Sequence, residues 1–131
     1  MDNGPLVSEE IDEGAKLVRE FDHYAPIKAA FWLRRTGEEQ RYLYLASDQI
    51  DDSNFGLAYG EVGRIVNLLD SPDLDRFRVK VIGGDHPLAL VAAEMIASYP
   101  GRKAPRLGGC YFGGMGVEDV YFYPMPIPVA I

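Results

Sequence analysis

Ile11, Ala15, Leu17, Val18 and Phe21 recur at helical spacing behind Ser8-Glu9-Glu10. Ser8 suits an N-cap and acids in a first turn favour the helix dipole, so a helix with one apolar face is predicted over Ser8–Phe21. Two runs rich in aromatic and aliphatic residues follow, Pro26–Leu33 and Gln40–Ala46, with the polar stretch Arg35-Thr36-Gly37-Glu38-Glu39 between them. That is a hairpin signal. In the second run Tyr42 and Tyr44 share one face and Leu43 and Leu45 the other, so both faces are expected to be covered at least in part.

The polar turn Asp48-Gln49-Ile50-Asp51-Asp52-Ser53-Asn54 is rich in capping residues and leads into a helix through Leu69, with Ala58, Val62, Ile65 and Leu69 on one face. Gly56, Gly60 and Gly63 share a stripe of that helix, which predicts a neighbour packed close to its backbone. Phe77, Val79 and Val81 alternate with Arg78 and Lys80 as a half-buried strand. After Gly83-Gly84-Asp85-His86, Pro87 is fit for a first helical position and Leu88–Tyr99 forms a helix that Pro100-Gly101 ends. The glycine-rich segment Leu107–Gly116 precedes an aromatic strand, Val117–Tyr123. The tail from Pro124 has proline at every second position up to Pro128, which removes ladder donors and excludes a central strand.

The element order is therefore α-β-β-α-β-α-β(β). It predicts an α+β (mixed α/β) single domain over 1–131, with 1–7 and 124–131 as terminal extensions. Its sheet is expected to be mixed and mostly antiparallel, of about four to five strands flanked by three helices. The strand–helix–strand connections favour parallel pairing and the hairpin antiparallel.

Charge changes this picture in one respect. The chain carries 20 acids against 13 bases, and residues 1–22 hold seven acids against Lys16 and Arg19, so −5 of the net −7 falls within residues 1–22. Such a balance repels nucleic acid and anionic membranes, and neither is expected as a partner. The longest apolar stretch, Leu88–Ala93, is far short of a membrane span, and the N-terminus lacks the pattern of a signal peptide. One cysteine allows no internal disulfide; the expectation is a cytoplasmic protein.

Candidate chemistry gathers at two strand-to-helix loops, 47–54 and 83–87. If their strands are parallel neighbours, both loops open at the carboxyl edge of the sheet, where open α/β sheets bind ligands. Asp48, Asp51 and Asp52 with Gly83 and Gly84 are the ligand-binding candidates. His86 as a general base tuned by Asp85, together with Cys110 as a nucleophile, are the catalytic candidates. The competing reading is structural: Asp and Asn are the usual capping and turn residues, Asp85 or His86 would cap the helix, and Cys110 would pack as a small hydrophobe. The Gly83-Gly84 pair resembles an anion cradle, but an adjacent carboxylate opposes it. Neither a metal site nor a cofactor is implied, because no CxxC, HxxxH, EF-hand, P-loop or dinucleotide pattern is present.

The acidic residues Glu9, Glu10 and Glu13 and the aromatics Trp32, Tyr42 and Tyr44, with Tyr121 and Tyr123, suit a partner surface. The first functional expectation is a small acidic protein-binding or regulatory module, not an enzyme, acting as a homodimer or on a basic protein partner. The alternative is a small enzyme or ligand-binding domain with its site at loops 47–54 and 83–87.

Overall fold

Helical periodicity in the first segment and alternation in the next two resolve, in a computed structural model, into a helix laid over a hairpin. The structure describes residues 8–97, 106–112 and 115–125. Its elements are α1 (Ser8–Tyr24), β1 (Ala29–Arg35), β2 (Tyr42–Ser47), α2 (Phe55–Leu69), a 3-10 turn (Arg76–Arg78), β3 (Val79–Gly83), α3 (Pro87–Ala97), β4 (Arg106–Phe112) and β5 (Met115–Phe122). The five strands form one sheet in the order β3-β2-β1-β5-β4. The pairs β1–β2, β1–β5 and β4–β5 are antiparallel, and β2–β3 is parallel. The expected mixed, mostly antiparallel α+β sheet with three helices is what forms.

Both faces of the sheet are covered. Trp32, Leu43, Leu45, Val79, Val81, Tyr121 and Tyr123 pack with α1 and α2 on one side. Phe31, Leu33, Tyr44, Ile82, Val120 and Phe122 pack with α3 on the other, where Phe31 stacks on Tyr44 with ring centroids 5.1 Å apart. The central strand β1 is consequently buried from Ala29 through Leu33. The parallel β2–α2–β3 unit has a functional consequence: the strands enter α2 and α3 from the same edge of the sheet.

The buried polar chain under α1 fixes that helix to the sheet. Trp32 Nε1 donates to Tyr123 Oη at 2.9 Å, and Tyr123 Oη donates in turn to the Ile11 carbonyl at 2.7 Å. At the far side of the sheet hairpin, the largely buried Arg41 pairs with Asp119 of β5, Nε to Oδ2 at 3.0 Å. The exposed ladder edge of β3 is blunted by Tyr59 of α2, whose hydroxyl accepts from the Val81 N–H at 2.9 Å, an arrangement that removes a pairing site for another strand.

Burial pushes the Tyr123 phenol well above the ordinary tyrosine range, and burial likewise raises Tyr44. The unfolded chain therefore releases these protons first, near a pH of about 10. Above that point the folded state binds more protons than the unfolded state, so stability falls as pH rises; below it, the two tyrosines contribute no pH dependence. The urea midpoint should be lower at about pH 11 than at about pH 9, and Tyr123→Phe should shrink the difference. Equal midpoints would contradict this account.

Several local expectations need correction. Phe77 does not begin the third strand: it lies in the 3-10 turn and is 81% exposed, because Asp75 caps that turn through the Phe77 N–H. The glycine stripe of α2 is not a packing groove. A Cβ at Gly56 or Gly60 would meet nothing within 4 Å, and Gly63 alone lies against a neighbour, the Arg76 guanidinium. The glycine-rich segment, by contrast, supplies the second strand of the expected β(β) ending: it pairs as β4 and the start of β5, from Arg106↔Tyr121 to Phe112↔Met115. Gly113 and Gly114, the two extensions up to Val7 and from Pro126, and the connector from Ser98 to Pro105 lie outside the described residues.

Candidate functional site

Ser47, the last residue of β2, is fully buried, and its carbonyl accepts two N–H groups: Ile50 at 3.2 Å and Gly84 at 2.9 Å. One oxygen thus ties the loop after β2 to the loop after β3. Ser47 Oγ also accepts from the Gln49 N–H at 3.2 Å, turning the chain out of the strand. The parallel register that ends at Ser47↔Gly83 makes this junction possible.

A cavity of about 450 Å³ opens where the loops meet. Ile50 and Phe55 supply its apolar part, and Asp48, Asp51, Asp52 and Asp85 its carboxylates; Gly83, Gly84 and His86 complete the wall. Asp51 accepts from the Ser53 backbone N–H at 2.9 Å and from its hydroxyl, and these bonds hold the Asp51 carboxyl below the usual range. Asn54 locks the same turn, accepting from the Asp51 N–H at 2.8 Å and donating to the Gln49 carbonyl at 2.8 Å. The carboxylates of Asp52 and Asp85 make no hydrogen bond or ion pair among the described residues, and both side chains are exposed. The cavity is therefore strongly negative at neutral pH.

Lys28, just before β1, was not foreseen here. Its ammonium donates to the Gly84 carbonyl at 3.2 Å and lies 3.5 Å from Asp48 Oδ1, so it braces the second loop and offsets one charge. A single lysine at the start of an apolar run carries no sequence signal for this role. Only the antiparallel register Ala29↔Ala46 brings it to the end of β2.

The loop after β3 is built as a helix start. His86 Nδ1 accepts from the Leu88 N–H at 3.0 Å and the His86 carbonyl accepts from Leu90 at 3.0 Å, so His86 caps α3 as one of the two structural readings expected. In the neutral ring the proton then resides on Nε2. The Gly84, His86 and Leu88 N–H groups are all committed within the protein, so these three are not offered to an anion at Gly83-Gly84. A Cβ on Gly84 would collide with Asp48 Oδ1 and stand 3.1 Å from Asp48 Cα, so close approach of the two loops requires glycine there.

The remaining candidates divide. Cys110 lies in β4 opposite Val117, at the other edge of the sheet from β3; four inter-strand gaps of about 4.8 Å separate the two edges by roughly 19 Å. It does not join His86 and Asp85. Trp32 and Tyr44 are not surface residues: with Tyr121 and Tyr123 they are buried in the core, because both sheet faces carry helices. Tyr42 is half-buried, with the Lys80 ammonium 4.3 Å from its ring centroid. On α1, Glu9 is exposed and Glu10 half-buried, while Glu13 pairs with Lys16 at 2.7 Å, which lowers its pKa.

No group of three or more His, Cys, Asp or Glu side chains among the described residues is arranged to hold a metal ion. No described helix is long and apolar enough to cross a membrane. No protein-family model, curated protein or solved structure matches this chain.

Proposed function

We propose that this protein is a binding module whose cavity at the carboxyl ends of β2 and β3 receives a lysine or arginine side chain of a basic partner protein. The observation that carries this reading is the convergence of four aspartates from two loops, more than thirty residues apart in sequence, on one cavity. Carboxylates accept in forks that match guanidinium and ammonium donors, and an apolar base formed by Ile50 and Phe55 suits the methylene stem of either side chain. Binding is favoured over catalysis because no Ser, Thr or Cys among the described residues lines the cavity, the neighbouring Lys28 ammonium is engaged by the Gly84 carbonyl and Asp48, and His86 Nδ1 is engaged as a cap. The acidic side of α1 adds long-range attraction for the same class of partner.

Exposed ion pairs contribute at most about 1 kcal/mol each, so a single basic group meeting all four carboxylates binds with a Kd no tighter than about 1 mM, and a multivalent basic segment more tightly. Calorimetric titration with a hexa-arginine peptide tests this. Affinity should fall with added salt and drop about tenfold in the Asp51→Asn, Asp85→Asn double variant. Reversal of Glu9, Glu10 and Glu13 to lysine should slow association while leaving the cavity intact. Equal affinity of the double variant and the parent would rule out the cavity as the site.

A further inference from the structure

Leu57 and Leu68 project from α2 into solvent, 71% and 68% exposed, although the helix packs its other side, through Ala58, Val62 and Ile65, into the core. Glu61 and Arg64 lie between the two leucines. The positions 57, 61, 64 and 68 follow one another at intervals of four, three and four, which places them on one seam of the helix. Within the chain Arg64 Nε donates to Glu61 Oε1 at 3.0 Å, and a second guanidinium nitrogen pairs with the other carboxylate oxygen.

This seam has an internal symmetry. Its centre falls midway between Val62 and Gly63: Leu57 stands as far before that point as Leu68 stands beyond it, and Glu61 as far before as Arg64 beyond. A two-fold axis through the centre lays two such helices antiparallel, with Leu57 of each copy opposite Leu68 of the other and Glu61 opposite Arg64. At a rise of 1.5 Å per residue, the leucine pairs lie about 8 Å on either side of the axis and the charges about 2 Å. Parallel pairing in register would instead oppose Glu61 to Glu61 and Arg64 to Arg64, so the charges select the antiparallel arrangement.

We infer that a second copy of this chain docks on the outer side of α2, making an isologous dimer in which Leu57 and Leu68 close over a central alternating Glu61–Arg64 network. The seam is one helix of 15 residues, shorter than a standard interface requires for tight association, so the dimer is weak and concentration-dependent. It involves neither the cavity nor α3.

Sedimentation velocity from about 1 µM to about 1 mM tests the oligomeric state, and cysteine cross-linking tests the register. The parent should shift from monomer to dimer across that range, and Leu68→Glu, a change at an exposed position, should hold the chain monomeric at the top of it. In a Cys110→Ser background, a mixture of the Leu57→Cys and Leu68→Cys variants should form a mixed disulfide dimer. Each variant alone should form little, since its own two thiols lie about 16 Å apart. A parent that stays monomeric throughout, a dimer indifferent to Leu68→Glu, or cross-linking equal in the single variants and the mixture would overturn the proposal.

Discussion

Replacing Gly14 with alanine should destabilise the protein by about 3 kcal/mol and lower its Tm by roughly 10 °C, although alanine is the better helix former. The added Cβ would collide with the Tyr123 hydroxyl and stand 3.1 Å from Trp32 Nε1. Neither neighbour is the free end of a flexible chain. Trp32 and Tyr123 are held in the core, and their hydrogen bonds join β1 and the residue after β5 to the Ile11 carbonyl of α1. Alanine must therefore lift α1 from the sheet or break the chain of bonds, and a buried donor left unmade costs about 1–3 kcal/mol. Gly60→Ala is the matched control. It sits inside α2 with open space around it, so the same substitution should raise stability by up to about 1 kcal/mol. Thermal denaturation of the two variants checks both signs; destabilisation by both, or by neither, would contradict the packing described for α1.

Gly84→Val is expected to act on stability and on the cavity together. Its Cβ would overlap Asp48 Oδ1, lie 2.7 Å from Asp48 Cγ and stand 3.1 Å from Asp48 Cα. The carboxylate can swing away, with loss of its pairing to Lys28, but the backbone beneath cannot, and the extra methyl groups widen the clash. A loss of about 2–3 kcal/mol should result, together with loss of basic-peptide binding, because the two loops are forced apart at the Ser47 carbonyl. Asp48→Ala removes the carboxylate without separating the loops, so it should weaken binding while costing less than about 1 kcal/mol of stability. Chemical denaturation read beside peptide titration separates these effects. Full binding by Gly84→Val would show that the loop junction does not shape the site.

The sheet was legible because its signals are local. Alternation in β2, the polar break at Arg35–Glu39 and the capping-rich turns at 48–54 and 83–87 each mark an element by its own composition. Even the shared edge of the two loops followed from element order, since a strand–helix–strand unit favours parallel neighbours. What stayed hidden depends on pairing between distant strands. Trp32 and Tyr44 look like contact residues until β1 is seen at the centre of a sheet with helices on both faces. Cys110 is separated from His86 because β4 joins through β5 at the opposite edge, and Lys28 reaches Gly84 only through the β1–β2 register. Gly56 and Gly60 misled for another reason: helical spacing shows which residues share a face, not whether that face is covered.

The central claim is that the cavity between the loops takes a basic side chain, and amide NMR during titration with acetyl-arginine methylamide tests it most directly. Shifts should concentrate at residues 48–55 and 83–86, report a Kd no tighter than about 1 mM, and show an affinity about tenfold weaker in the Asp51→Asn, Asp85→Asn variant. Shifts confined to α1, or shifts at the loops that persist unchanged in that variant, would contradict the account.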